Sequence, residues 1–336
     1  MPKYVEGGRL NDVLCTGVER KLGLRAAPTC SMSYGSREGA VGHLLGAANA
    51  GLATMFVMMN KARLACALQG VGISERALQQ AKGFAGERLQ GRRNGRPTPI
   101  ANHPDVRRML FRMEALTLGA RALTYTAVTA VEGGPDTEPS TRAGLLTPLA
   151  KVFASDVACE VASLNVQVHG GMGYIEETGA AQLLRDARAI PIYEGTNGIQ
   201  AIDFVSRKVA NDGAEGLRTE LERVRLWTSQ CASSMQLSAY SASLETGIGA
   251  LDAATDWIVD PNRAPDERLA AATPFTSLAA MVLAGGYIAK GLLSAQRTDP
   301  VLFASTAHTA GDYGTMILSS ASGLLTEVLG SGATVR

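Results

Sequence analysis

One carboxylate stands between an aromatic residue and a glycine in the stretch RAIPIYEGTNGIQ, residues 188–200. Glu194 follows Ile192 and Tyr193 and precedes Gly195, just before a predicted helix. Burial among apolar residues disfavours the charged form of a carboxylate, whereas a helix N-terminus favours it. Such a side chain can act as a base of tunable strength. The alternative is an exposed glutamate that only favours the helix dipole.

A basic run near the end of the first long predicted helix is a candidate phosphate site. It consists of Arg88, Arg92, Arg93 and Arg96. Arginine binds phosphate through paired donors, and a protein without excess charge needs a local cluster of this kind to bind a diphosphate. The alternative, which is the more usual one for such a run, is a solvated face.

Two polar residues interrupt an otherwise apolar predicted helix. Asn60 and Arg63 are three positions apart and therefore share one helix face. Polar side chains at such positions lie either at the solvent edge of the helix or against a ligand.

The glycine cluster HGGMGYIEE, residues 169–177, does not favour a nicotinamide dinucleotide site. Gly171 and Gly173 begin a G-x-G pattern, but Glu176 occupies the third glycine position and no βαβ unit follows. The glycines can instead form a tight turn between helices, or allow backbone amides to approach a ligand closely.

Composition argues against several classes of function. The 336 residues contain 32 Lys and Arg against 31 Asp and Glu, so no global charge attracts nucleic acid or an anionic membrane. Five cysteines, odd in number and scattered, argue against a disulfide framework and a zinc ribbon. The four histidines lie too far apart for a metal motif, so no metal site is expected.

The sequence predicts neither a targeting segment nor a membrane span. No N-terminal stretch combines a basic region, an apolar run and a cleavage site, and no apolar run reaches the roughly 18 residues of a spanning helix. We therefore expect a cytoplasmic protein.

Hydrophobic periodicity predicts a mainly α fold with a small β portion. Residues 1–42 suit a short β segment. Helices are predicted over 51–90, 104–132, 144–164, 180–189 and 197–210, with Thr196 as the N-cap of the last and polar loops at 91–105 and 132–144. Three amphipathic segments follow residue 213. The predicted domains are 1–42, 43–212 and 213–336.

Six motifs in order resemble the acyl-CoA dehydrogenase family of flavoproteins. They are MNKARL, ERLQG, HPDVRRML, VQVHGGMGYIEE, LLRDAR and IYEGTNGIQ, and the resemblance covers about residues 1–210. The remaining residues look like the additional helical domain of one subgroup, which includes the 3-methylmercaptopropionyl-CoA dehydrogenases. The implied fold is the family's C-terminal four-helix-bundle-like domain, preceded by a partial middle β domain and followed by that extra helical domain.

The resemblance implies a FAD enzyme that introduces an α,β double bond into an acyl-CoA. Glu194 matches the family's catalytic base, which takes the α-proton while hydride passes from the β-carbon to flavin N5. The α-proton of a thioester is too weakly acidic for a free carboxylate, so the enolate needs hydrogen-bond donors aimed at the carbonyl oxygen. In the family these donors are the glutamate's own amide and a flavin ribityl hydroxyl.

Other site residues are implied by the same resemblance. The positions that match FAD contacts are Arg88, Gln167, Gly170, Gly171 and Thr196, and those that match the acyl-CoA site are Asn60, Arg63 and Gly195. Several of the FAD contacts are made across a subunit interface in the family, which implies at least a dimer. Two positions depart from the family pattern, because Gly198 and Pro104 stand where many members have glutamine.

Relatives of this kind have an N-terminal helical domain and a complete β domain before the position of Pro2. The resemblance therefore implies an incomplete site in the lone chain, which a separate N-terminal half or a homo-oligomer would supply. It also implies an electron acceptor of the flavoprotein type. The alternative hypothesis is a non-catalytic remnant that serves as a dimerisation or interaction protein. A nucleic-acid binder is disfavoured because the C-terminal region lacks a basic stripe.

Overall fold

The computed structural model describes residues 1–131 and 141–333, apart from the side chains of residues 53, 56 and 57. These residues contain eleven α-helices and four short strands. In chain order they are β1 (Val13–Val18), β2 (Cys30–Tyr34), α1 (Gly51–Glu87), β3 (Leu89–Arg93), β4 (Arg96–Pro99), α2 (Pro104–Thr129), α3 (Thr141–His169), α4 (Ala180–Ala187), α5 (Asn197–Asp203), α6 (Glu215–Ala232), α7 (Ser238–Val259), α8 (Pro265–Ala270), α9 (Ala272–Thr298), α10 (Pro300–Met316) and α11 (Ala321–Gly330). The mainly α prediction is confirmed.

The chain forms two compact units, Met1–Ala62 and Arg63–Arg336, and the division falls inside α1. The first unit contains the antiparallel hairpin of β1 and β2, which confirms the predicted β segment. In this unit the Asn11 side chain donates to the carbonyl oxygens of Pro2 and Val41, both at 2.8 Å.

Helix α1 forms as the sequence predicts, because no proline or turn signal interrupts its apolar spacing. Gly70 lies where α1 meets α3. A Cβ on Gly70 would lie 2.5 Å from the carbonyl oxygen of Ala154, so only glycine permits this approach of the two helices. A Cβ on Gly72, by contrast, would meet open space.

Helix α9 is the central helix of the second unit, where it packs against α2, α3, α5, α6, α7, α10 and α11. Its small and apolar residues allow contact on every side. By length and composition α9 is apolar enough to cross a membrane, but 78% of its most apolar stretch is buried inside the structure. The expectation that no apolar run reaches spanning length was wrong, and the burial is that of a core helix.

The hydrophobic core continues across residue 213. It extends from Leu64 to Val328 without a break in packing. A buried ion pair joins the two sides, since Arg142 of α3 contacts Glu220 of α6 through two bonds of 2.7 and 2.9 Å. Tyr287 of α9 donates to the same carboxylate at 2.7 Å. The predicted domain limits after residues 42 and 212 remain predictions.

The segment predicted as a loop at 91–105 is largely a β-hairpin, so that prediction was wrong. Strands β3 and β4 pair with Arg93 opposite Arg96. Asn94 and Gly95 form the two-residue connection with φ of 53° and 77°. Asn-Gly is a strong hairpin signal because both residues tolerate positive φ, and the arginines on either side obscured it.

Several helix limits differ from the sequence prediction. Each of the three C-terminal segments divides into two helices, α6 with α7, α8 with α9, and α10 with α11. The predicted helix over 197–210 begins as α5 and continues as a π-helix, Phe204–Ala210. The end predicted for α2 at 132 and most of the loop 132–144 lie outside the described residues.

We predict that Gly70→Ala lowers the free energy of unfolding by about 1–3 kcal/mol, because the added methyl meets a backbone oxygen that cannot move alone. Gly72→Ala is the matched control two residues away, and it should be neutral or stabilising by up to about 1 kcal/mol because alanine is the better helix former. Urea denaturation of both variants checks this. Equal stabilities would contradict the tight contact between α1 and α3.

Candidate functional site

Glu194 lies in the connection between α4 and α5 and has a strained backbone. Its φ is 56° and that of Gly195 is 86°, so two successive residues are left-handed. A residue other than glycine rarely holds this conformation unless its surroundings impose it. The Thr196 side chain accepts a hydrogen bond from the Ile199 amide, which confirms the predicted N-cap.

Two buried cations hold the two carbonyl oxygens of this strained pair. Arg63, which is 8% exposed, donates from Nε to the Glu194 oxygen at 3.4 Å. Lys151 of α3 is fully buried and donates from Nζ to the Gly195 oxygen at 2.9 Å. Arg63 was predicted from the sequence, whereas Lys151 was missed. Its signal is a single lysine in the apolar stretch LLTPLAKVFASDVA.

A polar network extends from Lys151 through Asn197. Lys151 also donates to Asn197 Oδ1 at 2.9 Å, and Asn197 Nδ2 donates to Asp156 Oδ1 at 2.8 Å. Burial lowers the pKa of Lys151 to about 8. Burial raises the pKa of the Asp156 carboxyl, and the Asn197 hydrogen bond opposes that shift. The network therefore places a buried lysine with a lowered pKa in direct contact with the Gly195 carbonyl.

The floor of the site combines apolar packing with one buried amide. Cys66, Ala158, Ala162, Ala187 and Ile190 form a small cluster against which Tyr193 packs. Gln200 is fully buried, and a Cβ on Gly195 would lie 2.6 Å from its Nε2. The left-handed conformation of position 195 thus favours glycine, and a Cβ there would also force the buried Gln200 amide to move.

Glu194 and the amides around it have no partners in the part of the chain that the structure describes. Its half-buried carboxylate accepts no hydrogen bond there, and the N–H groups of Glu194, Gly195 and Thr196 donate none. Ile192 is 58% exposed, so it does not bury the carboxylate as the sequence suggested. Among the described residues, the arrangement therefore offers a carboxyl group without a hydrogen-bond partner beside three amide donors without one.

A second candidate site is a basic groove of about 550 Å³ beside the β3–β4 hairpin. Its lining consists of Arg92, Arg93, Thr98, Asn102, His103, Pro104, Arg107, Arg108, Phe111 and Met316. Arg108 is paired with Asp105, and Arg107 lies over the Phe111 ring. Four arginines in one groove make an anion-binding surface. Arg92 and Arg93 were predicted here, while Arg107 and Arg108 were not.

The predicted site residues of the second unit fall into two groups that are far apart along α1. Arg63, Glu194, Gly195 and Thr196 form the first group. Arg88 follows the C-terminus of α1, and 25 residues separate it from Arg63, which corresponds to about 37 Å along a helix.

Gln167, Gly170 and Gly171 lie at the Arg88 end. Phe84 of α1 stacks on His169 at the end of α3, with ring centroids 4.2 Å apart, so the two helix ends are neighbours. Gly170 and Gly171 have open space where a Cβ would be. Asn60 is exposed in the Met1–Ala62 unit.

Within residues 1–131 and 141–333, no three His, Cys, Asp or Glu side chains lie together as candidate metal ligands.

Comparisons with known proteins assign the family. Residues 49–209 match the family described as acyl-CoA dehydrogenase, C-terminal domain. The chain is 42% identical over 319 residues to 3-methylmercaptopropionyl-CoA dehydrogenase of Ruegeria pomeroyi, over 88% of this chain and 53% of that protein. This chain belongs to the acyl-CoA dehydrogenase family. The resemblance to this family that the six sequence motifs indicated is thereby confirmed.

Solved acyl-CoA dehydrogenases share the fold. A Bacillus anthracis acyl-CoA dehydrogenase complexed with FAD superposes with a TM-score of 0.78 at 20% identity, over 95% of this chain and 56% of that one. Caenorhabditis elegans ACDH-11 in complex with C11-CoA gives 0.76 at 23% identity, over 93% and 51%. The chain thus spans about half the length of these acyl-CoA dehydrogenases.

We predict that Glu194→Gly stabilises the chain by about 1 kcal/mol, because glycine removes the strain of a left-handed residue at a smaller entropic cost. Glu194→Gln is the matched control, which removes the charge and keeps the strain, and its stability should equal that of the wild type. Chemical denaturation measures both. A glycine variant less stable than the glutamine variant would show that the backbone at Glu194 is unstrained.

Proposed function

We propose that this chain carries the base and the oxyanion donors of a FAD-dependent acyl-CoA dehydrogenase. The observation that carries the proposal is the unpartnered Glu194 carboxylate on a strained backbone, beside three amides without partners among the described residues. Family membership supports the reaction type, and the relatives named above are acyl-CoA dehydrogenases. The substrate is a thioester of coenzyme A, and the product carries an α,β double bond.

The base has to be free before the substrate arrives. A carboxylate already engaged in an ion pair would have to break that pair to accept the α-proton, whereas Glu194 has no such partner among the described residues. Proton abstraction leaves negative charge on the thioester oxygen, which donors must stabilise. The amide of Glu194 supplies one, so that base and donor move as one rigid residue.

Arg63 and Lys151 contribute by fixing the backbone. In a trans peptide the carbonyl and the following N–H point in opposite directions. Cations that hold the carbonyls of Glu194 and Gly195 on one side therefore direct the N–H groups of Gly195 and Thr196 to the other. Donors fixed in advance stabilise a developing charge without reorganisation.

FAD fits the residues that are present, and when bound it supplies the acceptor for the hydride of the β-carbon. The basic groove suits a diphosphate, and the open backbone at Gly170 and Gly171 allows close approach of a ligand. Thr196 would hold the cofactor near the base, while Arg88 and Gln167 would hold it at the distant end.

The separation of the two groups supports a homo-oligomer. Arg88 lies about 37 Å along α1 from Arg63, the residue that contacts the Glu194 segment, so one dinucleotide does not reach from one group to the other. We infer that each group serves a different FAD, one of which belongs to a second subunit. An electron-transfer flavoprotein is the proposed acceptor.

We predict that Glu194→Gln lowers the rate of flavin reduction by an acyl-CoA about 10²–10⁴-fold, the usual loss of a general base. Acyl-CoA binding should persist, because the amide keeps the shape of the side chain. Stopped-flow bleaching of the FAD-loaded chain measures the rate, with Glu177→Gln, an exposed glutamate, as the matched control. Equal rates in both variants would refute the role of Glu194. A chain that stays colourless and inert with FAD would favour the non-catalytic alternative.

The basic groove yields a separate prediction. Arg92→Gln combined with Arg107→Gln should weaken binding of ADP, the diphosphate half of the cofactor, by about tenfold or more because charged hydrogen bonds are lost. Isothermal titration of the chain with ADP measures the affinity. Arg20→Gln, an exposed arginine after β1, is the control and should leave the affinity unchanged. Undiminished affinity in the double variant would place the diphosphate elsewhere.

A further inference from the structure

Lys151 is the one fully buried lysine of the described residues, and the reaction above assigns it no proton. Its hydrogen-bond acceptors are neutral oxygens, the Gly195 carbonyl and Asn197 Oδ1, both at 2.9 Å. The nearest carboxylate of the network, Asp156, is reached only through the Asn197 amide. A buried ammonium without direct ionic compensation is costly, and such groups persist where their charge is used.

The contacts of Lys151 converge on the segment that follows Glu194. Its ammonium group donates to the carbonyl oxygen of Gly195, the second residue of the left-handed pair. It also donates to the side chain of Asn197, the first residue of α5. Ser155 Oγ adds a hydrogen bond to Asn197 Oδ1 at 3.2 Å, so α3 holds this short segment both at Gly195 and at Asn197. A cation on a carbonyl also polarises the peptide and strengthens its N–H as a donor.

We propose that Lys151 is a positioning residue, whose ammonium form holds residues 194–197 in the conformation that the catalytic base requires. This inference rests on the proposed role of Glu194. Lys151 is not among the site residues that the family resemblance implies. Its proposed task is to keep the base and the amide donors in place. Neutralising Lys151 should loosen this segment while the helical core stays intact.

Hydrogen exchange of single amides tests the proposal without substrate or cofactor. The Asn197 amide donates to Pro191 O and the Gln200 amide to Thr196 O, each at 3.0 Å, so both report on the segment. In Lys151→Met both amides should exchange about tenfold faster or more, since a charged hydrogen bond has been lost. Lys82→Met, which removes an exposed lysine of α1, is the matched control and should leave both rates unchanged.

The wild-type protein provides a second test. If Lys151→Met does not fold, this test is sufficient to decide the proposal. The charged or titratable groups around Lys151 are Arg63, Cys66, Asp156, Tyr193 and Glu194. Burial raises the pKa values of the Cys66 thiol and the Tyr193 hydroxyl, and that of Lys151 is lowered to about 8. Burial thus brings the proton loss of Lys151 into the range of about pH 7 to 9 and moves that of Cys66 and Tyr193 to higher pH.

Two pH trends should oppose each other. The protection factors of Asn197 and Gln200, corrected for intrinsic exchange, should fall as pH rises through about 8, because the ammonium is lost. The contribution of Lys151 to global stability should rise from about pH 8 to about 10.5, because the unfolded chain then binds the proton that the folded chain has released. The first trend reports on the segment itself, whereas the second follows from the lowered pKa of Lys151 alone.

Equal exchange in wild type and Lys151→Met would overturn the proposal, and so would wild-type protection that stays constant between about pH 7 and 9. The outcome is separable from that of the proposed reaction. An inert chain with a segment that depends on Lys151 would refute the reaction and retain the positioning role. An active chain in which residues 194–197 do not depend on Lys151 would support the reaction and refute the positioning role.

Discussion

The candidate site depends on two buried cations that hold two successive carbonyl oxygens. Arg63 comes from α1 and Lys151 from α3, so they hold Glu194 and Gly195 together only while those helices lie close to each other. Gly70 makes that approach possible, since any side chain there would meet the backbone of Ala154. The helix contact, the cations and the strained loop are therefore successive consequences of one packing arrangement.

The central helix α9 supports this arrangement through its contacts with α3. Its buried residues contact α3 and α5, the helices that hold Lys151 and follow Glu194. A rigid core is needed because strain at a left-handed glutamate persists only when its surroundings over-determine it. The apolar composition of α9, which is sufficient for a membrane span, serves here to fill the interior.

The two groups of site residues along α1 and α3 present different chemistry. The Glu194 group combines buried cations with a carboxyl group that has no hydrogen-bond partner among the described residues, whereas the Arg88 end carries exposed arginines and open glycine backbone. The first suits proton transfer in a partly desolvated place, and the second suits an anionic ligand that arrives from solvent. This division follows from helix length alone, because a long helix keeps distant residues apart.

The sequence alone determined the class of fold, most helices and the proposed base. Periodic apolar residues and the cap at Thr196 are local signals, and the motif around Glu194 is contiguous. Lys151 escaped sequence analysis because a single lysine in an apolar helix has no local partner, and its acceptors lie more than 40 residues away along the chain. Arg107 and Arg108 likewise join the basic groove only through the β3–β4 hairpin. Only the tertiary structure determined that Lys151 is buried against the Glu194 segment and that these arginines share one groove. Burial and the proximity of charges arise between separate segments of the chain and are not properties of a local sequence pattern.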